Sequence, residues 1–287
     1  MTSIDAGALR KHIGACISDE DVATEAPLKA IIATFDRPEP APRPGEAVLP
    51  GWHIGYFLPM SRQSKLAADG LPTGTGVLPK VPLPRRMYAG NRVTFHAPIL
   101  VGDALSRETE LTDLQVREGS TGVLIVTTQT RRISTPRGLA VVEESDTVFR
   151  EAVKPGAKSG IPKRDEVPAG LPWRQTFRPD PVVLFRFSAL TFNPHRIHYD
   201  RPYAMETEGY PGLVVHGPFT QMCLTNFVRD HNPGRTLRTF SMRARAPLFD
   251  DAPFELVGRP TEGGRACEAW AVTPGGTIAM QATATFA

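Results

Sequence analysis

Twenty-eight prolines punctuate the 287 residues, and their crowding limits what the chain can fold into more than any other feature. They concentrate in residues 37–50, 70–84 and 154–172. Proline donates no backbone hydrogen bond and clashes with the preceding helical turn, so such stretches read as loops or linkers rather than helix or central strand. The third cluster is polar as well, falls near mid-chain, and has patterned segments on both sides. It divides the chain into a first unit over residues 1–153, a linker over 154–172 and a second unit over 173–287.

Each unit carries its own pattern. In TEAPLKAIIATFD, residues Leu28, Ile31, Ile32 and Phe35 recur at helical spacing, with Thr24 as a cap and Pro27 in the first turn. From Met87 to Phe149 the texture turns to strands, NRVTFHAPI, LSRETELTDLQVRE, STGVLIVTTQTRRIS and LAVVEESDTVFRE, which predict an antiparallel meander. The second unit repeats the order. A strand is predicted near VVLFRFSAL and a helix in GPFTQMCLTNFVRDHN, with Phe219, Met222, Cys223 and Phe227 on one face. Strands follow in TLRTFSMRARAP, APFELVGRP, ACEAWAVT and TIAMQATATFA. HAPILVGDA (96–104) aligns with RAPLFDDAP (245–253) at an offset of 149 and shares Ala-Pro and an aliphatic residue, which favours a duplicated α+β unit.

Composition excludes several classes. Apolar residues at 41% and charged residues at 22% are globular values, and a net charge of +3 is not the basic footprint of a nucleic-acid binder. Three cysteines, Cys16, Cys223 and Cys267, lie far apart with no CxxC spacing, so neither a zinc site nor a disulfide framework is expected. MTSIDAGALRKHIG lacks the apolar core of a secretory signal, and no apolar run of about 18 residues suggests a membrane span. The expectation is a cytoplasmic protein.

Three of the seven histidines, His195, His198 and His216, fall within 22 residues. The segment FSALTFNPHRIHYDRPYA adds Asn193, Arg196, Tyr199 and Asp200 where the predicted strand runs out. On composition alone, an exposed Asn-Pro turn is as good a reading as a site. No acidic or sulfur partners stand at metal-ligand spacing beside the histidines, and GxSxG, GxGxxG and GxxxxGK[ST] are all missing. In GYPGLVVHGPFTQMCL, a Gly-Pro pair opens the predicted helix, where free N–H groups attract negative charge and Gly217 admits a ligand oxygen closely. The same pair also serves as a plain helix entry.

These two stretches resemble the MaoC-like hydratases, a hot-dog family marked by GDxNPxH and a later HG that opens the central helix. SALTFNPHRIHYDRPYA with EGYPGLVVHGP is similar to the double-hot-dog branch of hydroxyacyl-thioester dehydratase type 2 and the mesaconyl-C4-CoA or itaconyl-CoA hydratases. WHIGYFLPMSRQSKLAADG, LPKVPLPRRMYAGNRVTFHAPILVGD and AVVEESDTVFRE resemble that branch's first half. The resemblance implies an α+β double hot-dog, each half a long antiparallel sheet wrapped around a central helix. It also implies a hydro-lyase acting on an enoyl-CoA. His198 falls on the catalytic histidine, Asn193 on the usual aspartate, and Gly217 on the backbone amide that polarises the thioester carbonyl.

On the substrate side, Arg85, Arg86, Arg196, His216, Arg243 and Arg245 are the candidates for holding a CoA phosphate or a second carboxylate. His53, Tyr56 and His96 are weaker ones. No metal or cofactor beyond the substrate's own CoA is implied, and a homodimer is compatible with the fold. Two other readings stay open: a fatty-acid-type (R)-3-hydroxyacyl-thioester dehydratase, and a non-catalytic acyl-CoA binding module.

Overall fold

The computed structural model describes residues 4–74, 76–119, 122–151 and 167–287. Most of the expected linker, residues 154–166, therefore lies outside the described residues. After a short helix α1 (Ala6–Arg10), the first half runs β1 (Cys16–Val22), α2 (Glu25–Phe35), a long loop, then β2 (Arg85–Phe95), β3 (Ala104–Gly119), β4 (Gly122–Thr135) and β5 (Gly138–Arg150). The second half runs β6 (Trp173–Phe177), α3 (Pro181–Leu190), a loop, α4 (Gly217–Asp230), then β7 (Leu237–Ala244), β8 (Phe254–Thr261), β9 (Ala266–Val272) and β10 (Ile278–Phe286).

All ten strands join one antiparallel sheet in the order β1-β3-β4-β5-β2-β7-β10-β9-β8-β6. Read inward from either edge the order is the same in both halves, and they meet where β2 pairs with β7, Arg92 opposite Ser241. The weak sequence match is a structural repeat. The amides of His96 and Ala97 both donate to Ala140 O (2.8 and 3.2 Å), as those of Arg245 and Ala246 both donate to Ala279 O (2.8 and 3.1 Å). Isolated bridges join Ala47 to Leu100 and, in the second half, Val214 to Phe249. This is the double hot-dog that the resemblance implies.

Helix α4 lies across β7, β8, β9 and β10 and is buried from Phe219 to Val228 apart from Gln221. Phe219, Cys223 and Phe227 pack into the second half's core, while Met222 joins the first half's core with Trp52, Leu28, Ile31 and Ile133. Buried hydroxyls on this helix return to the preceding turn, Thr220 Oγ1 to His216 O and Thr225 Oγ1 to Gln221 O, so no donor is stranded. In the first half the position matching α4 carries only the 3-10 turn Trp52–Gly55, and Trp52 Nε1 donates to Asn226 Oδ1 (3.1 Å). One long helix thus serves both halves of the sheet.

The segment VVLFRFSAL is a helix, not the strand its apolar run predicts. Asp180 caps it, Oδ1 accepting from Val183 N–H, and Pro181 stands in its first turn. Leu184, Phe187 and Ser188 are buried at helical spacing while Val182 and Phe185 are exposed. Those two outward apolar residues erased the amphipathic signal.

Candidate active site

The polar cluster around Asn193 therefore follows a helix end. Phe192 takes a left-handed conformation (φ 49°), Asn193 N–H returns to Ser188 O (2.8 Å), and Asn193 Oδ1 accepts from His195 N–H (3.0 Å) across Pro194. The Asn193 carbonyl oxygen is thus engaged in building its own turn. A tight turn, Arg196–His198, comes next. Arg196 is bound to Asp200 (2.7 Å), lies over the Tyr203 ring (4.1 Å) and donates to Ala68 O (3.0 Å). Its guanidinium fastens the loop.

The other side of this fastening is a loop of the first half. Arg196 N–H donates to Asp69 O (2.9 Å), and Gly70 lies so close that a Cβ there would sit 2.0 Å from Pro194 O. Gly70 also has φ +89°, which side chains rarely adopt. Gly70→Ala is expected to cost about 1–3 kcal/mol in strain and to push the histidine loop out of place. Turnover should fall at least tenfold and the thermal midpoint by several degrees, checked by steady-state rates and calorimetry.

The three histidines converge. His198 and His216 stack face to face, ring centroids 3.6 Å apart and planes 19° apart, and His195 meets His198 edge-on at 5.5 Å. His198 Nδ1 lies 2.7 Å from Val214 O. A carbonyl only accepts, so Nδ1 carries the proton and Nε2 keeps its lone pair. Burial pushes the His198 pKa down to about 3, against the opposing Val214 carbonyl, and His195 down to about 4. His216, fully buried, is held well below the usual range for the same reason. Its Nε2 is 2.8 Å from Ser188 Oγ, and its Nδ1 has no partner among the described residues. All three rings are neutral at pH 7.

Gly217 opens α4 directly beside this stack. His216 supplies no side-chain cap, Pro218 follows, and the first helix bond is Thr220 N–H to His216 O, so the Gly217 amide has no acceptor among the described residues. Glycine is required because Tyr88 covers it: an added Cβ would lie 2.5 Å from Tyr88 Cδ1. Tyr88 is itself pinned, its hydroxyl donating to Gln221 Oε1 (2.6 Å), which also accepts from Asn91 Nδ2 (3.1 Å). Tyr88, Ser188, Asp69 and Gly70 escape the sequence reading. Only the Asp-Gly pair signals a turn, and nothing local shows what that turn meets.

Of the arginines, Arg86 keeps the company expected of a substrate ligand. It is part-buried, forms no ion pair within the described residues, and lies over the Phe149 ring at 6.0 Å. Burial, then Arg131, pushes its pKa down, opposed by Asp69, and its charge is felt by His195. Arg85 is already occupied, bonded to the Tyr210 hydroxyl (2.7 Å) and near Glu208 (3.8 Å). The structure separates Arg243 from the histidines: Phe240 and Met242 turn into the core with α4, so alternation sends Arg243 to the opposite, exposed face of the sheet. Arg245 is not its same-face partner, because β7 ends at Ala244 and the Arg245 amide has turned to Ala279 O. His53 is buried 3.9 Å from Glu143, the Tyr56 hydroxyl donates to Thr24 O, and His96 is exposed at the end of β2. None of these three reaches the stack. Among the described residues no three His, Cys, Asp or Glu side chains are grouped to hold a metal ion.

Set beside known proteins, the chain is 43% identical to the mesaconyl-C(4)-CoA hydratase of Chloroflexus aurantiacus over 272 residues, which cover 94% of this chain and 95% of that protein. HtdX of Mycobacterium tuberculosis superposes with a TM-score of 0.64 at 18% identity, covering 95% of this chain and 100% of that one. A second M. tuberculosis protein, described as a double hot-dog, gives 0.56 at 14% identity and 96% coverage of both chains. Residues 51–250, which hold Tyr88, the histidine loop and the start of α4, match the model of the family described as hydroxyacyl-thioester dehydratase type 2. The chain belongs to that family.

Proposed function

We propose that this protein is a hydro-lyase that adds water reversibly to an enoyl-CoA carrying a C5 dicarboxylic acyl group, mesaconyl-C4-CoA or itaconyl-CoA, to give a citramalyl-CoA type product. One observation carries the chemistry. A neutral imidazole with its proton fixed on Nδ1, and its Nε2 free, stands beside a helix-opening amide that has no acceptor. With mesaconyl-C4-CoA, whose double bond joins Cα and Cβ of the thioester, His198 Nε2 takes a proton from water as the water oxygen bonds to Cβ, and the electron pair of the double bond moves through Cα onto the thioester oxygen. The Gly217 N–H holds that enolate oxygen. His198 then returns the proton to Cα, so the balance is one water added.

A histidine with a pKa of about 3 is a weak base toward a neutral partner. The enolate charge that develops beside it raises its proton affinity at the moment it is needed, so the stabilisation belongs to the transition state. Asn193 cannot ionise. With Oδ1 accepting from His195 N–H, its Nδ2 is the group left to orient the water by donating to its oxygen.

The dicarboxylic preference is supported by the name of the 43% identical relative and by Arg86, a part-buried guanidinium without an ion pair among the described residues, electrostatically coupled to His195. The test is mass spectrometry of the purified protein with mesaconyl-C4-CoA, itaconyl-CoA and crotonyl-CoA, following addition of one water. Hydration of a dicarboxylic substrate well ahead of crotonyl-CoA is expected. Arg86→Ala should raise KM for the dicarboxylic substrate at least tenfold and for crotonyl-CoA far less. Equal effects on both remove Arg86 from carboxylate recognition, and hydration of crotonyl-CoA alone favours the fatty-acyl dehydratase.

A further inference from the structure

The repeat places a counterpart of the catalytic cleft in the first half. Arg37 N–H returns to Ile32 O after left-handed Asp36 (φ 47°), as Asn193 N–H returns to Ser188 O after left-handed Phe192. Arg37-Pro38-Glu39 therefore stands where the second half has Asn193-Pro194-His195. Val48 N–H pairs with Ile99 O as Val215 N–H pairs with Leu248 O, both at 2.8 Å, which sets Leu49 against His216 and Pro50 against Gly217.

These exchanges remove the chemistry. Leucine neither accepts nor donates a proton, and proline has no N–H for a thioester oxygen. Yet the counterpart is not filled in. It is an open cleft of about 840 Å³, floored by Val48, Ile99 and Val141 and rimmed by Arg229, Arg235 and Arg238. That volume is within the range small-molecule sites occupy, roughly 300–1,000 Å³. Arg229 is paired with Glu39 (3.3 Å), while Arg235 and Arg238 have no carboxylate partner among the described residues. Arg235 stands just before β7 as Arg86 stands at the start of β2.

We propose that this cleft is a second, non-catalytic site that binds an acyl-CoA, its acyl end on the apolar floor and its phosphates toward Arg235 and Arg238. The ligand class rests on the hydratase reading above. The cleft's shape comes from the duplication. Arg238 and Arg235, the latter bonded through Nη1 to Gly264 O and lying over the Phe286 ring (5.0 Å), both keep their charge without a carboxylate among the described residues, which selects an anion over a neutral or cationic ligand.

The test uses the full chain and butyryl-CoA, which has no double bond to hydrate. Equilibrium dialysis and native mass spectrometry should count two equivalents per chain. Ala97→Trp, which fills the cleft, is expected to leave one equivalent and a hydration rate within twofold of the wild type. Arg238→Glu, a surface change, should weaken the second equivalent at least fivefold with the first unchanged. One equivalent in the wild type overturns the proposal, as does an Arg238→Glu protein that still binds two with unaltered affinities. Two equivalents without hydration of any enoyl-CoA keep the site and sink the hydratase reading; hydration with one equivalent does the reverse.

Discussion

Replacing His198 with alanine is expected to lower turnover by about 10² to 10⁴, the usual worth of a positioned general acid–base. The ring is buried, its Nδ1–H is committed to Val214 O, and it stacks on His216 at 3.6 Å, so its one reactive atom, Nε2, is held in a single orientation. No other side chain takes over: His216 Nε2 is turned to Ser188 Oγ, and His195 is held by its backbone bond to Asn193 Oδ1 and by Gly70 packed against Pro194. Rates on mesaconyl-C4-CoA and circular dichroism of the same preparation check this together. A folded variant with wild-type turnover takes the chemistry away from His198. The wild-type rate should also stay flat from about pH 6 to 8, because the ring proposed as the base, His198, with a pKa pushed down to about 3, has no titration there.

How much of this was legible depends on whether the partner of a residue lies nearby in the sequence. Histidine clustering and the His-Gly-Pro helix start are local, and the fold brings the two together in the candidate site. The duplication showed through only three shared positions, yet the backbone bonds at His96 and Arg245 repeat almost atom for atom. The helix α3 was hidden because Val182 and Phe185 point outward and turn an amphipathic pattern into a plain apolar run. Arg243 and Arg245 looked like neighbours on one strand face, an inference that fails where the strand stops between them. Tyr88, Ser188 and Gly70 act across separations of the order of 30 to 130 residues, set by the closing of the sheet. Such contacts have no period to detect.

Acid should unfold this protein earlier than its carboxylates alone would, and the histidine stack is the reason. His198 and His216 are nearly or fully buried, and both are held neutral by that burial, with pKa values well below the ordinary 6.5. The unfolded chain binds protons at these rings as pH falls through about 6.5, whereas in the folded chain His198 does not until near pH 3 and burial holds His216 neutral well below its ordinary range. Between those limits the unfolded state carries more protons, so stability is complete above about pH 6.5 and drains away as pH falls. At pH 5 the His198 ring alone costs about 2 kcal/mol, a large share of a typical folding free energy, and His216 adds to it in the same direction. Denaturant unfolding at pH 7 and pH 5 measures the difference directly. Replacing His216 with glutamine, which keeps a polar group near Ser188 Oγ but cannot titrate, should reduce the pH slope even if it lowers stability at pH 7. An unchanged slope in that variant would mean that folding does not hold His216 neutral. Two imidazolium rings 3.6 Å apart in a buried site would repel strongly, so the fold itself depends on both remaining neutral.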